Sequence, residues 1–211
     1  AESLSEENKD RKIRMYIRAV AERYRGYSNL KYWQVENEPF LPFGKCGMVS
    51  RRTVVEEIEL VRSLDAERPV LTTDSGEIGL WYFAAKRGDV FGTTMYRKVY
   101  NKFFGYIDYH LPPEFFRLKE ALLRGLLGDS QKRIIVIELQ GEPWTTSRLA
   151  DVAPEEASAL FSETYFEDTI RYAKETGFDE YYLWGVEWWW WMKEKQARPE
   201  YWQIGKELLH Q

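Results

Sequence analysis

Two carboxylates stand at the ends of apolar runs, in positions from which they could share one reaction. Glu38 closes the run Leu30–Glu38 and Glu138 closes Arg133–Glu138, and turn-forming residues follow each. Such a run reads as a buried strand that delivers its last side chain to the mouth of a parallel sheet or barrel. Alternation puts Gln34, Glu36 and Glu38 on one side of the first run and Trp33, Val35 and Asn37 on the other. The same parity groups Ile134, Val136 and Glu138. Two acids, one protonated and one ionised, are the minimal kit for cleaving a glycosidic bond. The first protonates the leaving oxygen and the second attacks the anomeric carbon. A Glu at a strand end can equally be a solvated charge, so the pair counts for more than either residue alone.

The elements that would position these acids alternate along the chain. A helical period runs from Glu6 to Tyr24, with Ser3 and Glu6 in capping-box spacing and Ile13, Tyr16, Ile17, Val20 and Tyr24 on the face expected to pack on a sheet. Ser50 caps a second helix to Leu64, whose stripe is Val54, Ile58, Val61 and Leu64. Further strands are expected at Pro69–Thr73, Val90–Tyr96 and Glu180–Glu187. Helices are expected at Leu80–Arg87, Pro113–Leu127, Pro154–Thr176 and Pro199–Leu209. This alternation is the signature of βα units that wind a parallel sheet with right-handed crossovers.

Asn37-Glu38-Pro39 at the end of one strand, with a later strand ending in Glu138, resembles the large clan of retaining glycoside hydrolases built on (β/α)8 barrels. In that clan the first Glu is the acid/base on the fourth strand and the second is the nucleophile on the seventh. The strands at Pro69 and Val90 then take the fifth and sixth places and Glu180–Glu187 the eighth. The resemblance therefore implies a single α/β domain over residues 1–211, a partial TIM barrel of about five parallel strands with outer helices that lacks the first three strands. It also implies roles for Asn37, which would bond the sugar 2-hydroxyl, Tyr96, beside the nucleophile, and Trp184, which would floor the sugar site. The family's Arg at the end of the second strand, bonded to the nucleophile, has no counterpart here. Glu36, Glu142 and Glu187 are read as structural or secondary carboxylates.

Composition narrows the partners. Thirty Lys and Arg against 34 Asp and Glu leave a net charge of −4, which favours neither nucleic acid nor an anionic membrane. Arg97, Lys98 and Lys102 read as a solvated basic face. Cys46, the lone cysteine, has no partner for an intrachain disulfide, and His110 and His210 offer no metal-ligand spacing; no cofactor is expected. The charged start, Ala1 to Arg14, lacks a signal-peptide core, and the expectation is a cytoplasmic chain. Aromatics make up 16% of the residues, including nine Trp, and flat aromatic faces suit pyranose rings. From Trp188–Trp191, Trp188 is taken as a sugar platform, while packing for the final loop or burial against another chain is the alternative.

Two readings remain open from sequence alone. The first is a retaining β-glycosidase acting on a carbohydrate, its activity weakened by the incomplete barrel. The alternative is a catalytically impaired barrel that serves as a carbohydrate-binding or self-assembling scaffold. In either case the strands ending in Glu38 and near Glu187 are sheet edges, and a homodimer is expected to cover them.

Overall fold

The computed structural model describes residues 6–42 and 48–208; Ser3, Cys46 and His210 lie outside them. The order is α1 (Glu6–Tyr24), β1 (Trp33–Gln34), α2 (Arg51–Leu64), β2 (Val70–Asp74), α3 (Tyr82–Ala85), β3 (Val90–Met95), β4 (Lys98–Asn101), β5 (Gly105–Asp108) and α4 (Pro113–Leu127). Then come β6 (Arg133–Gln140), a 3-10 turn (Leu149–Asp151), α5 (Pro154–Leu160), α6 (Glu163–Thr176), β7 (Tyr181–Trp184), α7 (Val186–Gln196) and α8 (Glu200–Leu208). Five parallel strands form one sheet in the order β1-β2-β3-β6-β7, flanked by helices, as a partial (β/α) barrel requires. Among the described residues no helix is long and apolar enough to cross a membrane.

Contacts divide the chain into two compact units, Ala1–Gly92 with Leu123–Ile134, and Thr93–Leu122 with Ile135–Gln211. In the first, Ser50 Oγ accepts a 3.0 Å hydrogen bond from Thr53 N and starts α2. The stripe of α2 then buries Val54, Ile58 and Val61 with Val35 and Val70. Helix α1 packs chiefly on α2 rather than on the sheet; of its residues with described burial, only Ala21 is fully buried.

In the second unit the core gathers Phe161, Phe166, Trp188, Trp189, Met192 and Tyr201. The expected helix 154–176 is broken in two. Ser162 Oγ accepts from Tyr165 N at 3.1 Å, a second N-cap that restarts the chain as α6 and lets Phe161 enter the core fully buried. Gly177, at φ 81°, ends α6 as the sequence predicts.

Three further differences from the expected elements bear on function. β1 is short: its ladder continues only to Val35 N, which donates to Leu71 O at 3.1 Å, and Glu36 and Glu38 then adopt φ of 59° and 45°. Glu38 therefore sits in a loop, and strand parity does not govern it. Residues 98–108 hold an antiparallel hairpin, β4 with β5, where the sequence suggests a solvated basic face. Tyr100 and Tyr106 pair across it with ring centroids 5.3 Å apart. Lys98 Nζ lies 4.8 Å from the centre of the Tyr165 ring and donates to Leu160 O, so that residue is not simply solvated. Finally, β7 stops at Trp184 and Glu187 falls in the first turn of α7, because Gly185 at φ 120° turns the chain directly into that helix.

Candidate active site

A cleft of about 310 Å³ opens in the second unit where Tyr96 follows β3, the loop after β6 passes over, and β7 ends; Tyr96, Glu142, Trp144 and Trp184 are among its lining residues. Beside it stands Glu138. β6 pairs with β7 at Val136↔Tyr181 and next at Leu139↔Leu183, so β6 advances three residues while β7 advances two. One extra residue in β6 breaks the pleat at Ile137-Glu138, both half-buried, and the alternation that would have tied Glu138 to Val136 does not hold across it. Such a shift re-aims a side chain, and here Glu138 Oε2 accepts a 2.9 Å hydrogen bond from Tyr96 Oη. The Tyr96 ring is itself steadied by Trp144, edge to face with centroids 5.3 Å apart and planes at 80°.

The floor of the cleft is a second polar pair. Trp184 is half exposed and its Nε1 donates to Glu142 Oε1 at 3.0 Å. Burial lifts the Glu142 carboxyl above its usual range; the Trp184 hydrogen bond pulls it back in part, and Glu187 pushes it up again. Beneath this pair β6 and β7 approach so closely that only glycine fits. A Cβ on Gly141 would lie 2.7 Å from Trp189 Cζ2 and closer still to the Trp184 carbonyl oxygen, and one on Gly185 would lie 2.8 Å from Glu142 Cβ. Trp189 Nε1 donates to Gly141 O at 2.5 Å and locks the corner.

The four sequence-derived aromatic and amide candidates separate. Tyr96 and Trp184 line the cleft. Trp188 does not: it is 3% exposed on α7, with its ring 4.4 Å from that of Tyr201 and 6.4 Å from that of Phe161. Helical geometry explains this, since a turn of 3.6 residues fans four consecutive Trp around the axis, burying Trp188 and Trp189 and exposing Trp190. Asn37, in the first unit, is exposed; its Oδ1 accepts from Gln34 Nε2 at 3.0 Å and from Thr73 Oγ1 at 3.5 Å. Its neighbour Glu38 is half-buried and held through its backbone N, which donates to Thr73 Oγ1 at 2.8 Å. Thr73 thus anchors the whole Asn37-Glu38 turn from β2. Sequence reasoning passed over Trp144 and Gln140, although a polar Gln ending an apolar strand was a visible signal.

Comparison with solved structures bears on this arrangement. A GH2 β-galacturonidase from Eisenbergiella tayi, bound to glycerol, matches with a TM-score of 0.58 and 17% identity over 94% of this chain and 36% of its own. Native xylanase 10B from Thermotoga maritima matches with a TM-score of 0.52 and 13% identity over 97% of this chain and 68% of its own. A GH10 endoxylanase from a sugarcane soil metagenome gives 0.52 and 14% over 87% and 60%. The partial barrel of this chain is similar in fold to part of each of these structures. At such identities the likeness is one of fold, and the chain spans about a third of the length of the GH2 structures it matches. No family model matches the chain, and no curated protein matches it. Among the described residues no group of His, Cys, Asp and Glu is placed to hold a metal ion.

Proposed function

We propose that this chain hydrolyses β-glycosidic bonds of a carbohydrate with retention, Glu138 acting as nucleophile and Glu38 as acid/base, without a cofactor. The observation that carries the reading is the Tyr96 hydroxyl bonded to the Glu138 carboxylate at 2.9 Å beside an aromatic cleft. The likeness of the partial barrel to part of these glycoside hydrolase structures supports it, as does the positive φ of Glu38, a backbone state that tends to persist where function demands it.

In this mechanism a Glu138 oxygen attacks the anomeric carbon while the bond to the leaving oxygen breaks and Glu38 supplies that oxygen's proton. A glycosyl ester on Glu138 results. Water then attacks the same carbon, Glu38 takes its proton, and the ester bond breaks to restore the Glu138 carboxylate. Tyr96 keeps one carboxylate oxygen engaged and so orients the other. Trp184 offers a flat face to the sugar, and Asn37 a polar group to its hydroxyls.

Mechanism-based labelling tests this. Activated 2-deoxy-2-fluoro β-glucosides, β-galactosides, β-xylosides and β-galacturonides should leave a glycosyl ester on the peptide that contains Glu138, read by mass spectrometry after proteolysis. Folded protein that remains unlabelled by the whole panel, or carries the ester on another carboxylate, would overturn the assignment.

A further inference from the structure

We propose that the first unit holds a second, separate site, for a small organic cation: a primary ammonium on a short apolar chain, seated in the groove between α1, β1 and α2. The groove encloses about 260 Å³, and its walls are mostly apolar, with Ile13, Ile17 and Val20 from α1, Val35 after β1, and Val61 from α2. Its polar end is made by Glu36 and Glu57. Glu57 sits on the buried stripe of α2, is only 2% exposed, and its Oε2 has no hydrogen-bond partner.

An unanswered carboxyl oxygen on an apolar face is costly, and the core would gain from an apolar residue there unless something donates to it. Two basic side chains of α1 spend their hydrogen bonds or ion pairs on other carboxylates: Arg14 bonds Glu56 and Arg18 pairs with Glu22. Burial, and then the charge and hydrogen bond of the adjacent Glu36 carboxyl, push the Glu57 carboxyl up to about 7, and the charge of Arg14 offsets this only in part. An ammonium brings three donors and one positive charge, enough to answer Glu57 Oε2 and the Glu36 carboxylate together, while its chain covers the apolar walls. A neutral alcohol of equal length would fill the walls and leave the carboxylates uncompensated.

Calorimetric titration of the whole chain with hexylammonium and with 1-hexanol at pH 8 tests the site. Hexylammonium should bind at least about tenfold more tightly, the value of a charge-assisted hydrogen bond, and Glu57→Gln should reduce that preference severalfold. The groups facing the site that titrate or carry charge are Glu36, Glu57, Asp10 and Arg14, so the preference should shrink at pH 5 as Glu57 takes a proton. Ile17→Trp, which fills the groove and leaves both carboxyls in place, should abolish binding of both probes and covers the case that Glu57→Gln fails to fold. Equal affinity for the two probes, no binding of either, or hexylammonium binding unchanged in folded Ile17→Trp would each overturn the proposal.

Discussion

The Gln140 side chain mimics a strand partner for Lys98. Its Oε1 accepts from Lys98 N at 3.0 Å while its Nε2 donates to Lys98 O at 2.7 Å, the reciprocal pair that a backbone would make. Arg97 N also donates to Oε1 at 2.9 Å, and Nε2 reaches Glu142 O at 3.3 Å, so this buried amide is fully satisfied. One side chain thus ties the base of the β4–β5 hairpin to the loop that carries Glu142. Gln140→Leu strands two N–H groups and two carbonyls, and the expected loss is about 3 kcal/mol of unfolding free energy. Denaturant titration checks the figure, and amide exchange should show the loss of protection concentrated in residues 98–108.

Tyr96→Phe keeps the ring that Trp144 supports and removes only the donor to Glu138. Under the proposed mechanism kcat/KM for aryl β-glycosides should fall by roughly tenfold to a hundredfold, as expected for a hydrogen bond to a charged group. Stability should change by less than about 1 kcal/mol, because the position is only half-buried. Steady-state kinetics beside a thermal melt distinguishes this from a general packing defect.

Replacing either proposed catalytic carboxyl, Glu38→Gln or Glu138→Gln, should reduce kcat by about a hundredfold or more without unfolding the protein. The two variants should differ in a diagnostic way. Added azide, which needs no general base, should rescue glycosyl transfer in Glu38→Gln on activated substrates and do nothing for Glu138→Gln, and product analysis reads this directly.

Gly141→Ala tests the close approach of β6 and β7. The added methyl group meets Trp189 Cζ2 and the Trp184 carbonyl, neither of which can yield without moving a strand end or the core. A loss of about 3 kcal/mol or more is expected from overpacking, with Trp184 displaced from the cleft. Thermal unfolding and tryptophan fluorescence together report both effects.

The Glu57 carboxyl makes stability fall as pH rises. Its ordinary value of 4.5 is lifted to about 7 in the folded protein, so between those values the folded chain binds more proton than the unfolded one. Stability contributed by the protonated group is whole below about pH 4.5 and lost as pH rises through 7, about 3 kcal/mol in all. Glu57→Gln should flatten this slope. Urea titrations of both proteins at pH 5 and pH 8 measure the difference.

The sequence by itself determined the βα alternation, because hydrophobic period and caps such as Ser50 act within a few residues, while the order of the five sheet strands followed from the family resemblance. It also placed Glu138 on a strand and Tyr96 at the end of another, although the folded strand stops one residue sooner, at Met95. What tertiary structure decided lies where partners distant in sequence compete with local pattern. The alternation of Trp33–Glu38 predicts a strand through Glu38, yet the ladder has no partner beyond Leu71 and the backbone turns at Glu36, held instead by Thr73. The bulge at Glu138 is a register mismatch between β6 and β7, invisible in either strand alone. Four consecutive Trp read as a rim until Gly185 starts a helix whose pitch sends Trp188 into the core against Tyr201. Local propensity is a property of neighbouring residues, while register, burial and hydrogen-bond partners are set by whichever distant segment arrives, and only the folded chain brings Tyr96 to Glu138.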